Sequence, residues 1–363
     1  MYDMLHIICD MGRHVLVSFF NKVLRKHESG RRRTMKKLVA FILAVGLMFS
    51  LVGCGPKADS ETLTLRFATD SSEDYVSTVQ IYKFAEEVEE KTDGRIKVEV
   101  YAGAQLGDEK SCVEQVQMGS LDITKSSMGA LTSFNENLTV LSMPYLFKSA
   151  DHMWAVMDSD IGQSLLDSME DSGLIGLGWL DAGSRCFYST KPLQGPEDFK
   201  GLKVRVMQSS IYADMIKNLG GTPVSMPASD VYSALQTGVV HSAENNIPRI
   251  IDMSHNELCP YLILDRHNIM PEMVMISTAT WGNLDASDQE IIKQCAANLQ
   301  ANMIAAWQET ENAALKTLKD KGMTVVEPDA DTIAAFREAM QPVYDKYGTD
   351  YADLIKQIEN TKA

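Results

Sequence analysis

The segment KGLKVRVMQSS, residues 200–210, places two cations on one face of an alternating strand. Apolar residues take the even positions from 202 to 206, so Lys203 and Arg205 share the opposite face. Two interpretations of this pattern are open: the face meets water, or it meets a binding site.

Common motifs of enzymes and nucleotide sites are absent from the sequence. It contains no GxGxxG after a predicted strand, no GxxxxGK[ST], no HExxH and no GxSxG. Four histidines follow residue 53, and none has metal-ligand spacing on one element: His152, His241, His255 and His267. We therefore expect a binding protein rather than an enzyme, with no cofactor and no metal.

The segment MKKLVAFILAVGLMFSLVGCGPKADS, residues 35–60, has two lysines, an apolar run and then LVGC. This is typical of a secretory signal, and its end resembles the lipobox of a bacterial lipoprotein. The apolar run is short for a bilayer of about 30 Å, which needs roughly 20 residues. We predict a signal peptide over 35–53, a lipid on Cys54 and a tether over 54–61. Residues 1–34 are expected to be a non-native or extended N-terminus.

The predicted mature chain is strongly acidic. Residues 1–53 hold nine basic and three acidic residues, which leaves 25 basic and 46 acidic residues and a net charge of −21. Such a field repels nucleic acid and anionic membrane surfaces. An anionic ligand must therefore be bound locally by a few buried donors. None of the four cysteines that follow Cys54 is in a CxxC pair, so buried free thiols are predicted.

Strand and helix patterns alternate in two regions. The first has strands from Leu63, from Gly94 and over 120–124, with helices over 78–92 and from Asp108 or Glu109. The predicted apolar face of the helix over 78–92 is Val79, Tyr82, Phe84 and Val88. The second region has strands at 203–207, 221–226 and 239–245, with helices at 210–219 and 228–238. This alternation predicts parallel sheet covered by helices.

Two segments resemble each other: 113–123 and 232–242 both run from a helix through Gln-x-Gly into a short strand. Asp122 falls opposite His241, which indicates two lobes of related architecture. A long helix is predicted over 285–322, with Gly322 as its C-cap. It would span roughly 50 Å at 1.5 Å per residue, enough to brace two lobes. A last helix over 331–348 is expected to break near Pro342.

Several segments resemble the solute-binding receptors of TRAP (tripartite ATP-independent periplasmic) transporters. They are GRIKVEVYAGAQLGDE, VLSMPYLF, DFKGLKVRVMQSS, LGGTPVSMPASDVYSALQTGVVHSAENN and MPEMVMISTATWGNLDASDQEII, and the likeness covers roughly residues 62–350. The resemblance implies an α/β, periplasmic-binding-protein-like fold of two lobes, with hinge strands and a long helix that bridges both. Ligand would be buried between the lobes. Lobe I would comprise 62–183 and about 272–305, and lobe II 184–271 and about 306–361.

The family's usual ligand is an organic acid, and the resemblance implies that Arg205 pairs with its carboxylate. A guanidinium forms two parallel bonds to a carboxylate, which lysine cannot. Arg185 is implied as a second cleft arginine, with a hinge salt bridge as the alternative. Asn245 is implied as a donor to the same carboxylate, with a turn or cap as the alternative. The sequence departs from the family pattern at His241 and Ser242, where Asp and Gly are usual.

The segments AENN, DSSEDY and DRHNIMPEMVMIS resemble the branch that takes hexuronates such as galacturonate and glucuronate. Such a ligand needs polar partners for its hydroxyls, and each candidate has loop capping or a surface position as its alternative. The candidates are Glu73, Tyr75, Ser126, Ser127, Gln208 and His267.

The resemblance also implies two membrane subunits as partners, and a location outside the cytoplasm, either lipid-anchored on the outer face of the membrane or periplasmic. Alternative ligands are a C4-dicarboxylate, sialic acid or another oxo acid. Two other classes stay open: an enzyme that acts on a sugar acid, which turnover would reveal, and a chemoreceptor-associated sensor, which its partner would reveal.

Overall fold

The computed structural model describes residues 62–363. The predicted N-terminal extension, signal peptide, Cys54 and tether lie outside these residues. Among the helices of the described range, none combines the length and apolar character that a bilayer crossing requires.

A single mixed sheet of nine strands organises the described residues. The strands are β1 (Leu63–Ala68), β2 (Ile96–Tyr101), β3 (Ile123–Ser127), β4 (Leu174–Ser189), β5 (Lys203–Val206), β6 (Thr222–Ser225), β7 (Ser242–Asn246), β8 (Tyr261–Ser277) and β9 (Thr324–Val326). Their order is β2-β1-β3-β8-β4-β7-β5-β6, with β9 beside β8. The outer strands on each side pair in parallel, whereas β4 and β8 pair antiparallel with each other and with β7 and β3.

Thirteen α-helices of residues 62–363 surround this sheet. They are α1 (Val76–Lys91), α2 (Glu109–Gln117), α3 (Met128–Leu131), α4 (Ala150–Met157), α5 (Asp160–Asp167), α6 (Ser210–Asn218), α7 (Val231–Gln236), α8 (Ile247–Asp252), α9 (Thr278–Gly282), α10 (Ala286–Asp320), α11 (Ala330–Ala339), α12 (Gln341–Tyr347) and α13 (Ala352–Asn360). Short 3₁₀ turns cover Glu136–Ser142, Glu170–Ser172, Pro196–Phe199, Ala228–Asp230 and His255–Glu257.

The sheet has an internal pseudo-twofold symmetry. Read from either end, two outer parallel strands lead to a third strand, which pairs antiparallel with one of the two long central strands. The repeated segments occupy equivalent places: α2 and α7 each end in a left-handed glycine, Gly119 at φ 72° and Gly238 at φ 71°, before β3 and β7. Glycine suits both turns because it adopts positive φ without steric cost. The predicted two-lobed α/β architecture is thereby confirmed.

Helix α10 is a single unbroken helix of 35 residues, as the apolar stripe predicted. It has a length of about 52 Å at 1.5 Å per residue. Its first half packs with α1 and β1 in one apolar cluster, whereas Ala314 and Leu318 join the cluster of α7 and β7. Gly322 follows the C-cap in a left-handed conformation at φ 87°. The helix therefore contacts both halves of the sheet.

The predicted buried face of α1 is wrong at two positions. Val79 and Tyr82 are exposed, whereas Ile81, Phe84 and Val88 are buried. Spacings of three and four from Ile81 make the apolar stripe, and Val79 and Tyr82 lie to its side.

Two other expectations are adjusted by the structure. The strand predicted over 120–124 lies at 123–127, because the first residues form the turn after α2. The last predicted helix does break before Pro342, and α13 follows it. The cysteines of the described range are buried free thiols, as predicted: Cys112, Cys186, Cys259 and Cys295.

Candidate functional site

A cavity of about 220 Å³ lies beside the carboxyl ends of β1 and β5. It adjoins a narrower space of about 30 Å³ beside the ends of β3 and β7, and we call the two together the cleft cavity. Both parts are lined by Asp70, Glu109, Arg205, Met207, Ala228 and Arg249. In α/β sheets ligands bind outside the carboxyl ends of strands, where neighbouring loops diverge. The cleft cavity has this position in both halves of the sheet.

Arg205 is 3% exposed and lines both parts of the cleft cavity. Its Nε and Nη2 donate to the carbonyl oxygen of Met226 at 3.1 and 2.9 Å. Within residues 62–363 its guanidinium forms no ion pair, and burial lowers its pKa below the usual value. The surface interpretation of the GLKVRV strand is therefore wrong for Arg205, although Lys203 on the same face is exposed. Arg205 is a buried cation whose charge the protein leaves without a direct partner.

Arg185 lines the narrow part of the cleft cavity but is already paired. Its Nε forms an ion pair with Glu244 on the adjacent strand β7, and Nη2 donates to the Glu244 carbonyl at 2.9 Å. Nη1 donates to Asn245 Oδ1 at 3.1 Å. Asn245 lines the same space, and the helix cap is made by its neighbour Asn246, which accepts from Arg249 N. Both the cleft position and the salt bridge expected as its alternative are present at Arg185.

His267 does not line the cleft cavity, although it was a candidate for it. It stacks on Phe187 with ring centroids 4.3 Å apart, and Nδ1 lies 2.7 Å from Asp265 Oδ2. Its Nε2 lies 3.5 Å from Glu244 Oε2, an ion-pair distance. Burial would lower the pKa of His267, but the two carboxylates outweigh burial and raise it to about 9. His267 thus lies outside the cavity lining and adds a second positive charge beside Glu244.

A second buried cation, Lys125, stands on β3 at the other side of the cleft cavity. Its Nζ lies 2.9 Å from Glu272 Oε2 and 3.7 Å from Asp70 Oδ1. Arg249 of α8 also pairs with Asp70 at 2.6 Å and with Asp252 at 2.5 Å. Burial would raise the pKa of Asp70, but Arg249 and Lys125 together hold it below the usual value.

The two halves of the sheet carry equivalent ion pairs with their signs exchanged. Ser127 is opposite Glu272 in the β3–β8 ladder, and Asn246 is opposite Arg185 in the β7–β4 ladder. Two residues before each, β3 has Lys125 and β7 has Glu244. In one half the cation is Lys125 on β3, and its partner Glu272 lies on the long strand β8. In the other half the cation is Arg185 on the long strand β4, and its partner Glu244 lies on β7.

Glu109 begins α2 and lines both parts of the cleft cavity. Its Oε1 accepts from Ser127 N at 3.0 Å and its Oε2 accepts from Ser127 Oγ at 2.8 Å. It forms no ion pair within the described residues. Burial, followed by the nearby charge of Asp70, raises the pKa of Glu109 to about 7.

The remaining predicted residues divide between the cavity and other places. Gln208 lines the larger part, and Tyr75 and Ser127 line the narrower part, where Tyr75 Oη donates to Asn246 Oδ1 at 3.2 Å. Glu73 is exposed, and Ser126 is fully buried and turned away from the cavity lining.

The departures from the family pattern lie at the far end of β7 from the cleft cavity. His241 Nδ1 accepts from Lys203 N at 3.1 Å, and Ser242 Oγ donates to the Tyr188 carbonyl at 2.7 Å. These residues therefore take part in strand pairing at the start of β7.

Sequence reasoning missed most of the charged residues that line the cavity: Asp70, Asp108, Glu109, Lys110, Lys125, Arg249, Asp252 and Glu272. The internal repeat offered a signal for Lys125, because extending it by two residues aligns Lys125 with Glu244.

Comparison with known proteins gives this site a family. Residues 67–350 match the model of DctP, described as bacterial extracellular solute-binding protein, family 7. The chain belongs to this family. A solute-binding protein of Chromohalobacter salexigens is 36% identical to this receptor over 281 residues, covering 77% of this chain and 83% of the relative.

Solved structures similar to this family 7 receptor include complexes with sugar acids. A TRAP periplasmic solute-binding protein from Pseudomonas putida F1 with bound D-glucuronate has a TM-score of 0.81 and 35% identity, covering 83% of this chain and 98% of that one. One from Xanthobacter autotrophicus Py2 with bound β-D-galacturonate has a TM-score of 0.80 and 33% identity, covering 82% and 100%.

Proposed function

We propose that this protein is the extracytoplasmic receptor of a TRAP transporter, and that it binds a hexuronate such as galacturonate or glucuronate as a monoanion. The observation that supports this most is Arg205, a buried cation that lines both parts of the cleft cavity and has no carboxylate partner in the described part of the chain. A carboxylate that forms two parallel bonds to the guanidinium would supply the missing charge. The bound uronates of the similar solved structures support this ligand class.

Charge pairing favours one carboxylate over two. The other buried cations that line the cavity, Lys125, Arg185 and Arg249, already pair with protein carboxylates. The remaining cation of the lining, Lys110, is half-buried and forms no ion pair within residues 62–363. A second ligand carboxylate that does not reach Lys110 would have to displace a protein carboxylate or be buried unpaired, which costs several kcal/mol. A C4-dicarboxylate is therefore disfavoured.

The polar groups around the cavity suit a ligand rich in hydroxyls. Gln208, Tyr75 and Ser127 offer uncharged donors and acceptors, and Asn245 lies next to Arg185. Removing a ligand hydroxyl leaves its buried partner on the protein unpaired, which costs about 1–3 kcal/mol of binding free energy. We propose these four residues as ligand contacts, and we assign Glu73, Ser126 and His267 no contact.

The division into lobe I (62–183 with about 272–305) and lobe II (184–271 with about 306–361) remains part of the proposal. It is supported by β4, whose pairing with β8 shifts register between Asp181 and Ser184. Lobe closure would bury the acid and present the loaded receptor to two membrane subunits, with no chemical change to the ligand. Anchoring through a lipid on Cys54 is proposed from the sequence.

A thermal-shift screen followed by titration calorimetry tests this function. The purified protein is mixed with D-galacturonate, D-glucuronate, succinate, sialic acid, a 2-oxo acid and, as a neutral control, D-galactose. A ligand that binds only the native state raises the melting temperature by mass action. We expect a shift with a uronate and none with galactose. A shift with succinate but no uronate would overturn the ligand assignment, and turnover of a uronate would overturn the receptor assignment.

A further inference from the structure

Within residues 62–363, neither Glu109 nor Arg205 has an ion-pair partner, and both line the same cavity. The other carboxylates of the network have a cation within ion-pair distance: Asp70 has Arg249, and Glu272 has Lys125. In the unloaded site Glu244 is the larger negative charge that acts on Arg205 and Glu109 is a smaller one, and both raise the pKa of that arginine against the larger effect of burial. Glu109 is thus a remote counter-charge to Arg205 while no ligand is present.

The ligand carboxylate would take over this role. The inference rests on the proposed function, in which an acid anion pairs with Arg205. Once Arg205 has a carboxylate in direct contact, its attraction for Glu109 is cancelled by the new negative charge. Glu109 then faces an additional anion in a site closed to water, where like charges within a few ångströms disfavour the ionised form.

We propose that Glu109 is a ligand-site residue that holds a proton in the loaded receptor, so that one proton is taken up from solvent with each acid anion. The protonated carboxyl of Glu109 then offers one donor to a ligand hydroxyl while it keeps accepting from Ser127. The hydrogen bonds from Ser127 N and Oγ hold its side chain at the cavity wall in either state.

Several charged groups face Glu109 and set the direction of this coupling. They are Asp70 after β1, Lys125 on β3, Arg205 on β5, Arg249 on α8 and Glu272 on β8, with Asp108 and Cys112 on or beside its own helix. The pKa of Glu109 is already about 7 without ligand, first because of burial and next because of Asp70. An added anion raises it further, so affinity is greatest below pH 7 and falls as the pH rises above 7.

Titration calorimetry with D-galacturonate and D-glucuronate in phosphate and in Tris counts the protons, because the two buffers have different ionisation enthalpies. We expect uptake of close to one proton per ligand at pH 8 and close to none at pH 5.5. The dissociation constant should rise by up to about tenfold per pH unit above pH 7. His267 titrates near pH 9 beside Glu244, so the measurements stay at or below pH 8.

The variant Glu109→Gln keeps the side-chain shape, can still accept from Ser127 N, and can donate from its amide to Ser127 Oγ, but it cannot take up a proton. We expect it to bind the uronate with an affinity that is constant from pH 5.5 to 8 and without proton uptake. Glu114→Gln, an exposed position of the same helix, is the matched control and should keep the wild-type uptake. Each variant is first checked for an unchanged melting temperature.

Different failures of this experiment have different meanings. Binding heats that do not depend on the buffer at pH 8 overturn the role of Glu109 while leaving the receptor proposal intact. Proton uptake that persists in Glu109→Gln assigns the proton to another group and also overturns it. No binding of either uronate to the wild type overturns the proposed function itself, and the coupling with it.

Discussion

Separate alanine substitutions of Arg205 and Arg185 distinguish an arginine that binds the ligand from one that stabilises the fold. Both side chains are buried, at 3% and 4% exposure, and both line the cleft cavity. Arg185 neutralises Glu244, which is completely buried and whose pKa it lowers to about 2 against the effect of burial. Arg205 neutralises no carboxylate directly. We therefore expect opposite effects on stability and on affinity.

The magnitudes follow from what each substitution leaves behind. Arg185→Ala leaves the buried carboxylate of Glu244 with His267 alone, 3.5 Å away, and breaking a buried pair from one side costs about 3–5 kcal/mol. Arg205→Ala loses two hydrogen bonds to the Met226 carbonyl but removes a desolvated charge, so we expect a net change below about 2 kcal/mol. At roughly 2 °C per kcal/mol for a chain of this size, the ligand-free melting temperature should fall by about 6–10 °C and by less than about 4 °C respectively.

Arg205→Ala should lower the affinity for the uronate strongly, although it changes stability little. Removing one partner of a buried charge pair costs about 2–5 kcal/mol, so Arg205→Ala should weaken uronate binding at least about 30-fold. Arg205→Lys should recover part of that loss, because it keeps the charge without the two-bond geometry. Lys203→Ala on the same strand face is exposed and serves as the control. The reasoning is refuted if Arg205→Ala binds the uronate within about threefold of the wild type by calorimetry, where 1.4 kcal/mol is tenfold.

Other substitutions test the surrounding network. Protonated His267 stabilises the wild type because its pKa is raised in the folded state, so the free energy of unfolding should fall as the pH rises from 6.5 through 9. His267→Asn should flatten this fall, and urea unfolding at several pH values measures it. Lys125→Ala should cost about 3 kcal/mol by leaving Glu272 buried without its cation, and the double variant with Glu272→Ala should recover most of it; additive losses in the cycle would contradict the pairing. Gly183→Ala should destabilise the protein by several kcal/mol, because the φ of Gly183 is 61° and an added Cβ would lie 2.4 Å from Trp307 Nε1. An unchanged melting temperature would disprove this close approach.

The alternation of the GLKVRV strand predicted a polar face at Lys203 and Arg205 but left both water and a binding site open, and the family resemblance then implied that Arg205 faces the cleft. That pattern gives no signal for Asp70, which lies in the loop after β1, or for Glu109, which begins α2. Nothing local separates them from solvated neighbours such as Glu73, since their burial depends on which strands lie side by side. Those neighbours are set by pairing across the whole chain.

Register explains the remaining errors. Val79 and Tyr82 of α1 were assigned to the core because a short helix has several plausible apolar stripes, and only packing against α10 selects one. His267 was a candidate ligand contact because the segment DRHNIMPEMVMIS resembles the hexuronate branch, with a capping or surface position as its alternative. The β4–β8 ladder has a bulge between residues 185 and 187. His267 lies in β8 opposite this bulge and stacks on Phe187, away from the cleft cavity.

The two long central strands limit how this receptor can change its ligand during evolution. Strands β4 and β8 each run through both halves of the sheet and pair with each other over most of their length. A lobe borrowed from a relative would therefore have to be joined in the middle of two paired strands, where most residues already have a neighbour across the ladder and the shifts of register must also match. The lobes are not interchangeable modules. New specificity is most readily acquired by point substitutions in the loops at the strand ends, which line the cavity but do not belong to the shared strands.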